Sequence, residues 1–180
     1  MGKIFYIMGK SASGKDTIYK ELIEKMPQFH SIVPYTTRPM REGEKDGVEY
    51  FFVDQERFDE MMDEEKIIEF RSYNTKCGIW TYFTADDGQI DLDSDNNYLY
   101  IGTLEAYKGM RKYYGEENVI PFYIYVEPGE RLSRAVERER RQENPKYTEL
   151  CRRFIADEED FSREKILEVG IDKIYENDKL

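Results

Sequence analysis

Histidine occurs once in the sequence, at His30, and cysteine twice, at Cys77 and Cys151. A lone histidine reads as a packed or surface residue rather than as a catalyst. The two cysteines have no metal-ligand spacing and make no disulfide framework, so the chain reads as reduced and cytoplasmic. No apolar run approaches the roughly 20 residues that span a bilayer, which argues against a membrane partner. The first apolar stretch, Ile4 to Met8, is too short for a signal-peptide core. Met1-Gly2 opens like a myristoylation site, but Tyr6 stands where that site needs Ser or Thr. Positive charge is also short: 27 Lys and Arg face 38 Asp and Glu, a net charge of -11. Such a chain does not wrap a nucleic-acid backbone.

What cation there is lies unevenly. Seven of the thirteen arginines fall between Arg131 and Arg153, a local cluster that suits a small anion such as phosphate. The alternative is a solvated helix face partnered by Glu137, Glu139 and Glu143. The 180 residues suffice for one α/β domain with a sizeable core.

Lys3 to Met8 reads as a buried strand ending at glycine, and Asp16 to Met26 has apolar residues at helical spacing. Ser31 to Arg38 is extended, held out of helix by Pro34 and Pro39. A polar turn, Arg41 to Gly47, leads to a strand at Val48 to Val53. A short helix around Phe58, Met61 and Met62 precedes a strand at Lys66 to Tyr73. Tyr98 to Gly102 and Val119 to Val126 read as strands of a parallel sheet, separated by a helix near Leu104 to Tyr113. Helix is expected over Pro128 to Gln142 and again from Tyr147 to Val169, with a last strand at Ile171 to Tyr175. Strand–helix alternation at both ends around a hairpin-rich middle implies a parallel core sheet carrying an inserted β-rich lobe.

The strongest chemical signal is Gly9-Lys10-Ser11-Ala12-Ser13-Gly14-Lys15, between a strand and a helix. Glycines allow the tight turn, backbone N–H groups and the helix N-terminus cradle phosphate, and Lys15 reaches the β- and γ-phosphates. The strict pattern continues with Ser or Thr; here Asp16 comes next, then Thr17 as candidate magnesium ligand. A GTPase reading fails, because Glu176-Asn177-Asp178-Lys179 is no N-K-x-D and Ala85-Asp86-Asp87-Gly88 no D-x-x-G. Asp91, Asp93, Asp95 and Asn97 mimic the start of a calcium loop, but Asn96 and Gly102 break it.

A second segment runs Tyr35-Thr36-Thr37-Arg38-Pro39-Met40-Arg41-Glu42-Gly43-Glu44, then Gly47 and Tyr50. Two arginines and a phenol there suit one phosphate, although the same residues also suit a surface hairpin. With the phosphate loop, the pattern T-T-R-x-x-R-x-G-E-x-x-G-x-x-Y resembles the guanylate kinase family over nearly the whole chain.

The resemblance implies a three-layer P-loop nucleoside-monophosphate kinase fold, with its core at about 1–33, 95–127 and 151–180. An acceptor lobe would occupy about 34–94 and a helical lid about 128–150. It implies ATP with Mg²⁺ on Gly9 and Ser11 to Thr17, and GMP as acceptor. Arg38, Arg41 and Tyr50 would hold the GMP phosphate, and Glu69 would accept from guanine N1–H and the N2 amine. Tyr82 and Thr84 would complete that site, and Asn177 would edge the adenine pocket. Lys15, Arg134, Arg138 and Arg153 would surround the transferring phosphoryl. The sequence departs from the family's pattern at Pro34, where the family has a guanine-reading serine, and at Tyr100-Ile101-Gly102, where it has D-x-D. The family's usual last helix would lie beyond Leu180. Rival readings are a kinase for another monophosphate and a non-catalytic phosphopeptide-binding module; Gly14 and Lys15 argue against the module.

Overall fold

The computed structural model describes residues 2–75 and 78–178, so Cys77 lies outside the described residues. In chain order the elements begin β1 (Ile4–Met8), α1 (Lys15–Lys25), β2 (Phe29–Ser31), β3 (Tyr35–Thr36) and β4 (Phe51–Phe52). They continue α2 (Gln55–Asp63), β5 (Ile67–Thr75), β6 (Gly78–Ala85), β7 (Asn97–Ile101), α3 (Leu104–Tyr114) and β8 (Val119–Tyr125). Last come α4 (Pro128–Arg140), α5 (Tyr147–Asp160), α6 (Arg163–Glu168) and β9 (Ile174–Glu176).

β1 carries no charged side chain and is almost wholly buried, which suits a central strand covered on both faces. It pairs in parallel with β7 on one side and β8 on the other. The sheet order is β2-β7-β1-β8-β9, parallel throughout. Alternation along β1 splits its side chains between two layers. Ile4, Tyr6 and Met8 pack with Tyr100, Tyr107, Met110, Tyr123 and Ile166. Ile7 joins Leu99 and Ile124 against Ile18 and Leu22 of α1 on the other face. Each large side chain so buried contributes about 1.5–3 kcal/mol. Among the described residues no helix is long and apolar enough to cross a membrane.

A second sheet, β4-β3-β6-β5, is inserted between β2 and β7. It is built on the long β5–β6 hairpin and packs Phe83 and Ala85 on Phe58 and Met61 of α2. The hairpin register slips between Ile67 and Glu69. Such a bulge bends a strand and re-aims the side chain that follows it.

Three expectations need adjustment. The strand read at Val48 to Val53 shortens to Phe51–Phe52 after a turn with Gly47 at φ 75°. The final strand starts at Ile174 rather than Ile171. The long last helix is two helices. Phe161 turns inward to stack on Tyr123 at 5.6 Å, and the Ser162 side chain accepts from the Lys165 N–H to start α6.

Candidate active site

The loop after β1 has left-handed backbone at Ala12 (φ 62°) and Gly14 (φ 83°). Gly9 is required by contact: a Cβ there would lie 2.5 Å from the Ile124 carbonyl oxygen and 2.8 Å from Ser13 Oγ. Ser13 is buried, and its hydroxyl has no hydrogen-bond partner among the described residues. Lys15 opens α1 and holds its ammonium 3.2 Å from the Asp16 carboxylate. Beneath the loop, the Asn177 amide donates to the Ser13 carbonyl at 2.9 Å.

Gly9, Ser11, Lys15 and Asp16 line a cleft of about 680 Å³. Tyr50, just before β4, Tyr73 of β5 and Gly102 to Glu105 line it as well, and so do Asp157 and Asp160 of α5. Thr17 lies on the exposed surface of α1 and does not line this cleft; the carboxylate of its neighbour Asp16 does.

In the acceptor segment, Arg38 is buried under the rings of Tyr50 and Phe52, its guanidinium 5.2 and 5.3 Å from their centroids. It is fixed there by Glu44 through two bonds of 2.8 and 2.5 Å, and by the Pro39 carbonyl at 2.9 Å. The Arg41 N–H also donates to Glu44, at 2.7 Å, while the Arg41 side chain stays exposed. The Arg38 guanidinium holds the Glu44 carboxyl down at about 2. Glu44→Gln is therefore expected to lower Tm at neutral pH. A charge-assisted bond contributes about 1.5 kcal/mol, which at this chain length is roughly 3–6 °C. Because Glu44 stabilises the fold only while ionised, the gap from wild type should narrow as pH falls from about 5 to about 3. A gap that stays constant in acid melts would deny the pair this role.

Glu69 follows the bulge in β5 and faces Thr84 across the hairpin. The Thr84 hydroxyl donates to Glu69 Oε1 at 2.7 Å, and Tyr100 Oη lies 2.6 Å from the same hydroxyl. With the Thr84 proton committed to Glu69, Tyr100 is the donor in that second bond. Burial pushes the Glu69 carboxyl above its usual value, against the pull of the Arg71 guanidinium. Tyr82 neighbours Arg71 across the pairing with β5 and packs edge-on to Tyr50 at 5.7 Å.

The arginines of α4 and α5 divide: Arg131, Arg138 and Arg153 line one crevice, and the others lie elsewhere. Arg134 binds Glu130 at 2.8 Å, leaving both its terminal nitrogens buried with no partner among the described residues. Arg138 and Arg153 flank that small crevice beside Ser11. Arg153 lies 3.7 Å from Glu149 and Arg141 3.9 Å from Glu137, as a solvated helix face would have them.

Arg131, Asp157 and Glu158 belong to no motif in the sequence, yet they brace the phosphate loop. Arg131 is 1% exposed and reaches the Ser11 carbonyl and Asp157, both at 3.2 Å, and Glu158. Asp157 in turn accepts from the Ser11 N–H at 2.7 Å, and Glu158 pairs with Lys10 at 2.7 Å. Gly102 has a similar explanation: a Cβ there would lie 2.0 Å from Tyr6 Oη, which donates to the Thr103 carbonyl at 2.9 Å. The Tyr6 phenol occupies the space a carboxylate side chain would need.

A family sequence profile described as "Guanylate kinase" matches residues 1–180. The guanylate kinase of Helicobacter hepaticus is 34% identical over 116 residues, 64% of this chain and 56% of that protein. That of Legionella pneumophila is 44% identical over 68 residues, 38% of this chain and 32% of the relative. The matched stretches thus span from about a third to about half of these relatives' lengths. A crystal structure of guanylate kinase from Anaplasma phagocytophilum superposes with a TM-score of 0.68 at 20% identity, covering 99% of this chain and 78% of that one. This likeness is one of overall fold. With the profile spanning every residue from the phosphate loop to the last strand, the chain belongs to the guanylate kinase family.

Proposed function

We propose that this protein transfers the γ-phosphoryl group of ATP to GMP or dGMP, releasing ADP and GDP or dGDP. The observation that carries the reading is one cleft lined both by the phosphate loop and by Tyr50, whose ring lies over the buried Arg38 guanidinium. Two anion-binding elements on one cleft are what transfer between two phosphates demands; positioning and charge neutralisation do most of the work.

In this reading the loop from Gly9 to Gly14 cradles the ATP phosphates and Lys15 reaches toward the transferring group. Arg38, Arg41 and Tyr50 hold the acceptor phosphate, and Glu69 reads the base with Thr84 fixing its carboxylate. Residues 34–94 act as the acceptor lobe and 128–150 as a lid on a core made of the remainder. Closure of the lid brings Arg134 and Arg138 toward the phosphates, where Arg153 of the core joins them, and excludes water, which limits wasteful hydrolysis. Among the described residues no group of three His, Cys, Asp or Glu is placed to cage a metal. That fits Mg²⁺ arriving with ATP, since it takes most ligands from phosphate and water and one or two from carboxylates. Asp16, Glu105, Asp157 and Asp160 all line the cleft, and we assign this role to Asp16 because it stands beside Lys15. When bound, Mg²⁺ would neutralise charge on the β- and γ-phosphate oxygens. We assign the activity to the cytoplasm.

A coupled assay for ADP release against GMP, dGMP, AMP, CMP and UMP tests the reading. Preference for a guanine nucleotide supports it, and turnover confined to another base refutes it. Arg38→Ala is expected to weaken GMP affinity by about 10- to 100-fold, the loss of a charge-assisted contact of about 1.5–3 kcal/mol. ATP affinity should change little. Calorimetric titration of each nucleotide separates the two, and equal losses would put Arg38 in the wrong site.

A further inference from the structure

Glu69, Arg71 and Tyr73 alternate along β5 and so share one face of the hairpin. Tyr73 on that face lines the cleft, and the Arg71 guanidinium bonds the Thr103 hydroxyl, whose residue lines the cleft as well. The side chains of Arg71 and Glu69 are only 9% and 7% exposed. α3 presses on them from behind: a Cβ at Gly109 would lie 2.4 Å from Glu69 Cβ.

Within this buried ion pair, Arg71 Nε, a donor, and Glu69 Oε2, an acceptor, lie 3.4 Å apart, yet neither makes a hydrogen bond to any described residue. Buried polar atoms without a hydrogen bond are costly even where charge attracts them, and such a pair calls for an explanation. A donor beside an acceptor is the complement of a ligand edge that presents an acceptor beside a donor. Guanine has that edge, with O6 next to N1–H and the N2 amine. Adenine presents the reverse, an amine next to a lone pair, and would oppose both atoms at once.

We propose that Arg71 is a specificity-determining residue of the acceptor site, donating to the 6-oxo group of the purine while Glu69 accepts from N1–H and the N2 amine. This assignment rests on the reading of the cleft as a GMP site. Neither Pro34, with no side-chain donor, nor Gly102, with no side chain, competes for the oxo group. The bond to Thr103 and the Glu69 carboxylate fix the guanidinium plane, so the donor is oriented before the ligand arrives. The simpler role for Arg71 is a counter-ion that keeps Glu69 ionised despite its burial, and the two roles make different predictions.

The test is a calorimetric comparison of GMP, IMP and 2-aminopurine riboside 5′-monophosphate on wild type, Arg71→Met and Arg71→Lys. IMP lacks only the N2 amine. The aminopurine keeps that amine but lacks O6 and N1–H. If Arg71 reads O6, Arg71→Met narrows the GMP-to-aminopurine affinity ratio by about tenfold or more, as loss of a charge-assisted contact does. The GMP-to-IMP ratio, which reports on Glu69, stays within about twofold. Arg71→Lys keeps the charge opposite Glu69 but carries no Nε, so it holds the fold without restoring the aminopurine ratio. This variant decides the matter should Arg71→Met fail to fold. Equal losses for all three ligands, or a wild-type ratio in Arg71→Lys, make Arg71 a counter-ion or a phosphate contact and overturn the proposal. Wild type that prefers GMP while both variants leave the ratio unchanged overturns this inference alone. Wild type without preference for GMP over AMP overturns the parent reading with it.

Discussion

Lys15→Met is expected to lower kcat by about 10²- to 10³-fold, the usual cost of removing one group that meets charge developing in the transition state. Lys15 stands at the start of α1, lines the cleft, and among the described residues its ammonium touches only the exposed Asp16 carboxylate. Methionine keeps the length and helix propensity of the side chain, so Tm should barely move and GMP titration should give an affinity near that of wild type. The coupled assay reads the rate, and the melt confirms the fold. A fall of less than tenfold, about 1.4 kcal/mol of barrier, would remove Lys15 from the transfer step.

Glu69→Gln is expected to cut kcat/KM for GMP by more than tenfold while leaving ATP affinity intact, and to narrow the GMP-to-AMP ratio. The carboxylate accepts at two oxygens, one bonded by Thr84 and the other 3.4 Å from the Arg71 guanidinium without a hydrogen bond. An amide has one accepting oxygen and two donating hydrogens. If its oxygen keeps the Thr84 bond, its amine faces the donors on guanine, a buried mismatch of the kind that rejects ligands strongly. Facing adenine, the same amine meets a lone pair and the mismatch disappears. The substitution also removes the negative charge beside the buried Arg71 guanidinium, so a lower Tm should accompany it. Steady-state kinetics with both monophosphates, mutant beside wild type, decide the question. An unchanged ratio would mean that Glu69 does not read the base.

How much of this was legible in the sequence depends on how far apart the partners lie. The phosphate loop announces itself because its residues are consecutive and its flanks have the periodicity of strand and helix. The strip from Tyr35 to Tyr50 is equally local. Arg131 was hidden in a run of arginines because its partners are Ser11, 120 residues away, and Asp157, 26 away. No pattern distinguishes it from Arg141, whose partner is the solvated Glu137 one turn back on α4. The break between α5 and α6 had a local signal, Ser162 ahead of Arg163 and Glu164. The apolar spacing of Phe161, Ile166 and Val169 masked it by continuing the helical period. Arg71 is a polar residue within a strand, where a guanidinium normally meets water. Only the closure of α3 over β5 makes its burial visible.

The fit of Tyr6 against Gly102 couples two positions that are far apart in the chain. With Tyr6 in place, no side chain at 102 has room, since the Cβ would overlap the phenol oxygen. The phenol does not yield easily: it bonds the Thr103 carbonyl and packs edge-on to Tyr100. What is allowed at residue 102 is therefore set by a side chain on another strand. Introducing aspartate there has to begin with a smaller residue at position 6.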